Sequence, residues 1–93
     1  MKETDYVKLI MDTRHVMNLH AAAGGRLQCE KMSISAMRCI YAYIDLQAAD
    51  LKAQKNPSAV THNEYKKLQE TFDKHCKNHH NLISMYLNKA VLQ

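Results

Sequence analysis

The residues best equipped for chemistry are His75, Cys76, His79 and His80, set in the run His75-Cys76-Lys77-Asn78-His79-His80. In a helix, His75 and His79 stand four residues apart, as do Cys76 and His80, and such pairs share a face with Cβ atoms about 5–6 Å apart. Two imidazoles at that spacing can chelate one metal ion, and zinc would need two further ligands to close its tetrahedron. His75, Cys76 and His79 are therefore the metal-ligand candidates. His15, His20, Cys29 or the same histidines of a second subunit would have to complete the set. The zinc-hydrolase pattern H-E-x-x-H is not met, because Cys76 stands where the general-base Glu belongs.

The same run has a structural reading. His75 and His79 can be seam residues bonded to a carbonyl, to Tyr41 or Tyr43, or to Asp45. Two histidines in one seam would make a pH-sensitive element and would set helix register. A Cys76 nucleophile would need an oxyanion hole, and a continuous helix offers few free N–H groups to build one. The segment His20-Ala-Ala-Ala-Gly24 has the His-to-Gly spacing of a phosphotransfer histidine but lacks the basic residue normally placed before that Gly. The sequence holds no P-loop, no dinucleotide-binding glycine fingerprint and no spaced pair of carboxylates fit for acid–base work.

Three helices are predicted to position these groups. The first spans about 3–22, with Tyr6, Val7, Ile10, Met11, Met17 and Ala21 as its apolar stripe. Thr4 is its expected N-cap, and Gly24-Gly25 ends it. The second spans about 29–55, with Ser33 and Ser35 as alternative caps, and Asn56-Pro57 closes it. It carries two stripes. Met37, Ile40, Tyr41, Ile44, Ala48 and Leu51 form one, expected to face the core. Ala36, Cys39, Tyr43 and Leu46 form the other, expected to face outward. The third spans about 61–91. Thr61-His62-Asn63-Glu64 reads as a capping box, with Val60 and Tyr65 as a hydrophobic staple. Tyr65, Leu68, Phe72, His75, His79, Leu82 and Tyr86 follow a heptad rhythm. Short loops between long helices imply an all-α, three-helix up-down-up bundle with a long C-terminal helix, in one domain over residues 1–93.

Composition sets the class. The chain has 93 residues, 46% hydrophobic and 24% charged, with only two Gly and one Pro, which suits long helices over a many-stranded sheet. Three cysteines without a C-x-x-C pair, a charged N-terminus with no apolar leader, and no run of 18 apolar residues point to reduced thiols, a cytoplasmic location and no membrane partner.

The function this predicts is that of a non-enzymatic, helical protein-binding adaptor or regulator of the inhibitor, chaperone or immunity type. It would act through helix–helix contacts, as a dimer or with a protein partner, and without a cofactor. The unequal helix lengths and the apolar end of the third helix (Leu82, Ile83, Met85, Tyr86, Leu87, Val91, Leu92) place the partner surface on Cys39, Tyr43, Leu46, Ile83, Tyr86 and Leu87. Net charge of +4 allows an alternative, a small basic nucleic-acid-binding dimer with Lys66, Lys67, Lys74 and Lys77 on phosphates. A third reading is a zinc-stabilised bundle built on the His75/His79 pair.

Overall fold

A computed structural model describes residues 2–92, with side chains through Ala90. It contains α1 (Glu3–Ala22), α2 (Arg26–Lys55) and α3 (Ala59–Leu92), and no strand among the described residues. Each helix packs against the other two in an all-α bundle. The paired contacts give the directions. Glu3 and Tyr6 meet Tyr43, while Met17 meets Cys29, so α2 runs antiparallel to α1. Thr13 meets His79 and His20 meets Tyr86, a constant offset of 66 residues, so α3 runs parallel to α1. The result is a rod of 53 × 17 × 17 Å.

Local chemistry explains the breaks. After α1, Gly24 adopts φ +77°, a conformation that side chains disfavour. The Gly25 N–H reaches back to the His20 carbonyl at 2.6 Å and the Gly24 N–H to that of Ala21 at 3.2 Å. These two bonds are the Schellman pattern, which satisfies carbonyls that the helix end leaves free. A Cβ at Gly25 would press on the His20 carbonyl oxygen at 3.0 Å, so that close return also depends on glycine.

The starts of the helices differ from expectation. α1 begins at Glu3 after Lys2, and Thr4 lies inside it; among the described residues no side chain caps that end. α2 begins at Arg26, directly after the glycines, so Ser33 and Ser35 are helix-interior residues. The capping pair of α3 is Ser58 with Thr61. The Thr61 N–H donates to Ser58 Oγ at 3.2 Å, and the Ser58 N–H donates to Thr61 Oγ1 at 3.0 Å. The reciprocal geometry expected of Thr61 and Glu64 therefore occurs one turn earlier, with a hydroxyl in place of the carboxylate. Glu64 instead pairs with Lys52 at 3.2 Å, and Val60 is exposed rather than stapled.

Two apolar clusters make the core. Leu9, Cys39, Ala42, Leu46, Phe72 and Cys76 form the larger, flanked by Tyr6, Tyr43, Tyr65 and Leu68. Val16, Met32, Ile83 and Tyr86 form the second, flanked by Met17, Leu82 and Leu87. The inward stripe of α1 is therefore Leu9, Thr13, Val16 and His20; of the residues expected there, Val7, Met11 and Ala21 are exposed.

The register also relocates the overhang. α1 has 20 residues against 34 in α3, and the 66-residue offset lays it beside roughly 69–88. The uncovered stretch is thus the first part of α3 with the end of α2, not the C-terminal third of α3.

The cap assignment is open to a direct check by chemical denaturation. Ser58→Ala should cost about 1 kcal/mol, the usual loss for an N-cap hydroxyl. Glu64→Ala, which removes an exposed ion pair, should cost under about 0.5 kcal/mol.

Candidate functional site: a buried histidine layer and an exposed seam on α2

The histidine run is split by the helix it sits on. His79 and Cys76 are fully buried, His75 is half-buried and His80 is exposed. His79 lies between the two apolar clusters and is held from both sides. Its Nε2 stands 2.7 Å from Thr13 Oγ1 on α1, and its Nδ1 stands 2.8 Å from Ser35 Oγ on α2. The proton positions follow from the donors available. Thr13 gives its own hydroxyl proton to the Leu9 carbonyl at 2.7 Å. It must therefore accept from His79 Nε2–H, which leaves Nδ1 to accept from the Ser35 hydroxyl. His79 is neutral in this arrangement. Burial, with the nearby His80 adding to it, lowers its pKa from 6.5 to about 4.

This geometry uses the metal candidates for other purposes. Both ring nitrogens of His79 are engaged by hydroxyls, so neither offers a lone pair to a cation. Cys76 turns toward Cys39 in the larger cluster, where burial, then the Cys39 thiol, pushes its pKa up to about 12. That is a protonated, unreactive thiol, the opposite of an activated nucleophile. Cys39 is shifted upward too, chiefly by burial. Among the described residues, no group of three or more His, Cys, Asp or Glu side chains is placed to hold a metal ion. The seam reading of His79 gives the better description, with the partners Thr13 and Ser35 instead of Tyr41, Tyr43 or Asp45.

His20 repeats the theme one layer along. It is buried, its Nε2–H donates to the Tyr86 carbonyl at 2.9 Å, and its ring meets the Tyr86 ring edge-on at 5.4 Å. A histidine engaged in this way is a packing element of the α1–α3 contact.

The residues expected to bind a partner are mostly interior. Cys39, Leu46, Ile83 and Tyr86 are buried, and Tyr43 and Leu87 are half-buried against the clusters. Tyr43 stacks on Tyr6 with ring centroids 4.4 Å apart and donates its hydroxyl to Glu3 at 3.1 Å. The two faces of α2 are thus reversed from expectation. Its inward residues are Met32, Cys39, Ala42, Leu46 and Ala49. Ile34, Met37, Tyr41, Ile44 and Leu51 point away from the bundle, each 40–60% exposed, with Ala48 exposed among them.

Those outward residues have a definite order. With Ile34 at position a of a heptad, Tyr41 and Ala48 also fall at a, and Met37, Ile44 and Leu51 fall at d. Met32, Cys39 and Leu46 fall at f, on the far side of the helix. α2 therefore carries a core face and, opposite it, a coiled-coil seam with no cover in the described residues. Five of the seam's six members, all but Ile34, belong to a stripe legible in the sequence; the core face, with Ser35 between Met32 and Cys39, has the same 3-4-3-4-3 spacing, so spacing alone does not tell the two apart.

Lys66, Lys67, Lys74 and Lys77 are all exposed on α3. Helical geometry places Glu70 and Asp73 between them, so that face is mixed in sign. Val91 and Leu92, part of the expected apolar end, lie outside the described side chains. No helix is long and apolar enough to cross a membrane among the described residues. Comparison with models of known families, with curated proteins and with solved structures finds no match to this chain.

Two measurements address the buried layer. The unfolded chain binds a proton at His79 below about pH 6.5, whereas the folded chain resists until about pH 4. Stability supplied by neutral His79 is thus complete above pH 6.5 and declines as pH falls toward 4, by a loss on the order of 2 kcal/mol after solvent screening. Denaturation at stepped pH should show this decline, and His79→Gln should flatten it. Thiol alkylation of the native protein should label Cys29, which is half-buried, well before Cys39 or Cys76, as peptide mapping would report.

Proposed function

We propose that this chain is a non-enzymatic protein-binding module that acts through helix–helix contact on the outer face of α2. The observation that carries the reading is the ordered apolar seam of Ile34, Met37, Tyr41, Ile44, Ala48 and Leu51. Isolated exposed apolar residues are ordinary, but a contiguous row at heptad spacing marks a recognition surface. Helix-in-groove and coiled-coil binding both use anchors at this spacing. Tyr41, large and central, is the natural hot spot.

The rest of the molecule suits such a role. Its hydroxyl and imidazole cluster is closed off inside the bundle, and its buried thiols stay protonated. Three free cysteines fit a reducing compartment such as the cytoplasm. The adaptor, inhibitor, chaperone and immunity roles share this design, and each would be served by a small rigid helical face.

The test is native mass spectrometry of the protein isolated from its own host, wild type beside Tyr41→Ala/Ile44→Ala. Both residues are exposed, so the double variant should keep wild-type secondary structure and lose under about 1 kcal/mol of monomer stability. Wild type should appear in an assembly, and the variant should be depleted from it at least about tenfold, on the scale of hot-spot truncations. A wild-type chain found only as a bare monomer would overturn the reading.

A further inference from the structure

The seam on α2 has a charge pattern that selects its occupant, and we propose that this occupant is a second copy of the same chain, packed antiparallel through α2. This inference rests on the binding role assigned above and adds the identity and orientation of the partner.

Charged residues flank the seam in a set order. Lys31, Arg38, Asp45 and Lys52 fall at position e of the same heptad. Among the described residues Arg38 and Asp45 have no ion pair within the chain, and both are exposed. In an antiparallel pair of helices, e positions face e positions and a layers stack on d layers. Centring a two-fold axis between Tyr41 and Ile44 puts Arg38 opposite the partner's Asp45, and by symmetry Asp45 opposite the partner's Arg38. One sequence thereby supplies both halves of two ion pairs. The same register puts Glu30 opposite the partner's Lys55 at each end of the seam. Lys31 would face the partner's Lys52, but Lys52 is already paired with Glu64 at 3.2 Å, so that approach includes a carboxylate.

Side-chain sizes agree with this register. Tyr41 packs on the partner's Ile44, Met37 on the partner's Ala48, and Ile34 on the partner's Leu51. Large residues meet smaller ones in the Tyr41–Ile44 and Met37–Ala48 layers, and Ile34 meets a leucine of equal volume. A parallel pair has neither advantage. It would set Tyr41 against Tyr41 and Ala48 against Ala48, and its e-to-g contacts would be Arg38 with Ser33, Asp45 with Ile40 and Lys31 with Arg26. None of these is an acid–base pair.

The test uses charge reversal in the full chain, read by sedimentation equilibrium at low and at moderate salt. Wild type should have twice the monomer mass of 10.7 kDa. Arg38→Asp and Asp45→Arg each turn two attractive contacts into two like-charge ones, so each variant alone should self-associate at least about tenfold more weakly. An equimolar mixture of the two variants should form a 1:1 heterodimer more tightly than either forms a homodimer. In that heterodimer the carboxylate introduced at position 38 of one variant faces the guanidinium introduced at position 45 of the other, and the unchanged Arg38 faces the unchanged Asp45. The double reversal Arg38→Asp/Asp45→Arg in one chain should likewise restore the dimer. Circular dichroism would confirm that every variant is folded.

A mixture no tighter than its components would overturn the antiparallel register. A wild-type chain that stays monomeric at its highest soluble concentration would overturn self-association. If such a monomer still leaves its host in a complex that Tyr41→Ala/Ile44→Ala abolishes, the binding role stands and only the second-copy assignment falls.

Discussion

The bundle depends on the polar layer in which all three helices meet, α1, α2 and α3 each contributing one residue: Thr13, Ser35 and His79. Apolar packing is tolerant, since a leucine shifted by a turn still finds methyl groups. Hydrogen bonds are directional and fail within an ångström. A one-residue slip of any helix would leave a buried imidazole or hydroxyl unsatisfied, at a cost of about 1–3 kcal/mol per group. The buried core is Leu, Ala, Cys and Phe on one side of this layer and Val, Met, Ile and Tyr on the other. The polar layer adds directional bonds to that packing, as a polar seam residue does in a coiled coil.

Fixing that layer fixes everything else about the register. It sets α1 beside the later part of α3 and leaves the α2–α3 turn projecting as a two-helix arm. It turns Cys39, Ala42 and Leu46 inward, further along α2 from Ser35. Rotating α2 so that Ser35 meets His79 necessarily sends Ile34 and Met37 out of the bundle. The exposed seam is therefore a consequence of the buried layer: the helix cannot satisfy His79 and bury Tyr41 in the same monomer.

The parts of this arrangement legible in the sequence were those with local causes. Gly24-Gly25 and Asn56-Pro57 end helices by backbone conformation alone, and both breaks lie where expected. The long heptad of α3 reads directly, and so does the idea that histidines in its seam act structurally. Parts with non-local causes were hidden. The inward stripe of α1 includes Thr13 and His20, two polar residues that periodicity counts as surface, while Val7 and Met11 look like core and are not. α2 has two apolar faces, and nothing local says which one α1 and α3 will cover. Both rows follow the same spacing, and the larger residues of the outward one (Ile34, Met37, Tyr41, Ile44 and Leu51) invite the inward assignment, whereas the row that is covered contains Ser35 and the small residues Ala42 and Ala49. The α3 cap was misplaced because a Ser-to-Thr hydroxyl pair closes the same ring of bonds as the better-known Thr-to-Glu pair.

The shape of the molecule bears on why α2 has two apolar faces at all. A rod of 53 × 17 × 17 Å has much surface for its volume, and few residues along each helix are fully hidden. A chain of this size buries a modest share of its unfolded surface and has little stability to spare. Its core also contains polar groups, which hold register but add less than apolar side chains of equal volume would. Burying a second face of α2 against another helix adds apolar area without lengthening the chain, and the binding free energy then stabilises the fold by mass action. The outward seam and the polar interior are complementary in this sense: the interior defines one geometry, and the proposed association would supply stability that the thin core does not.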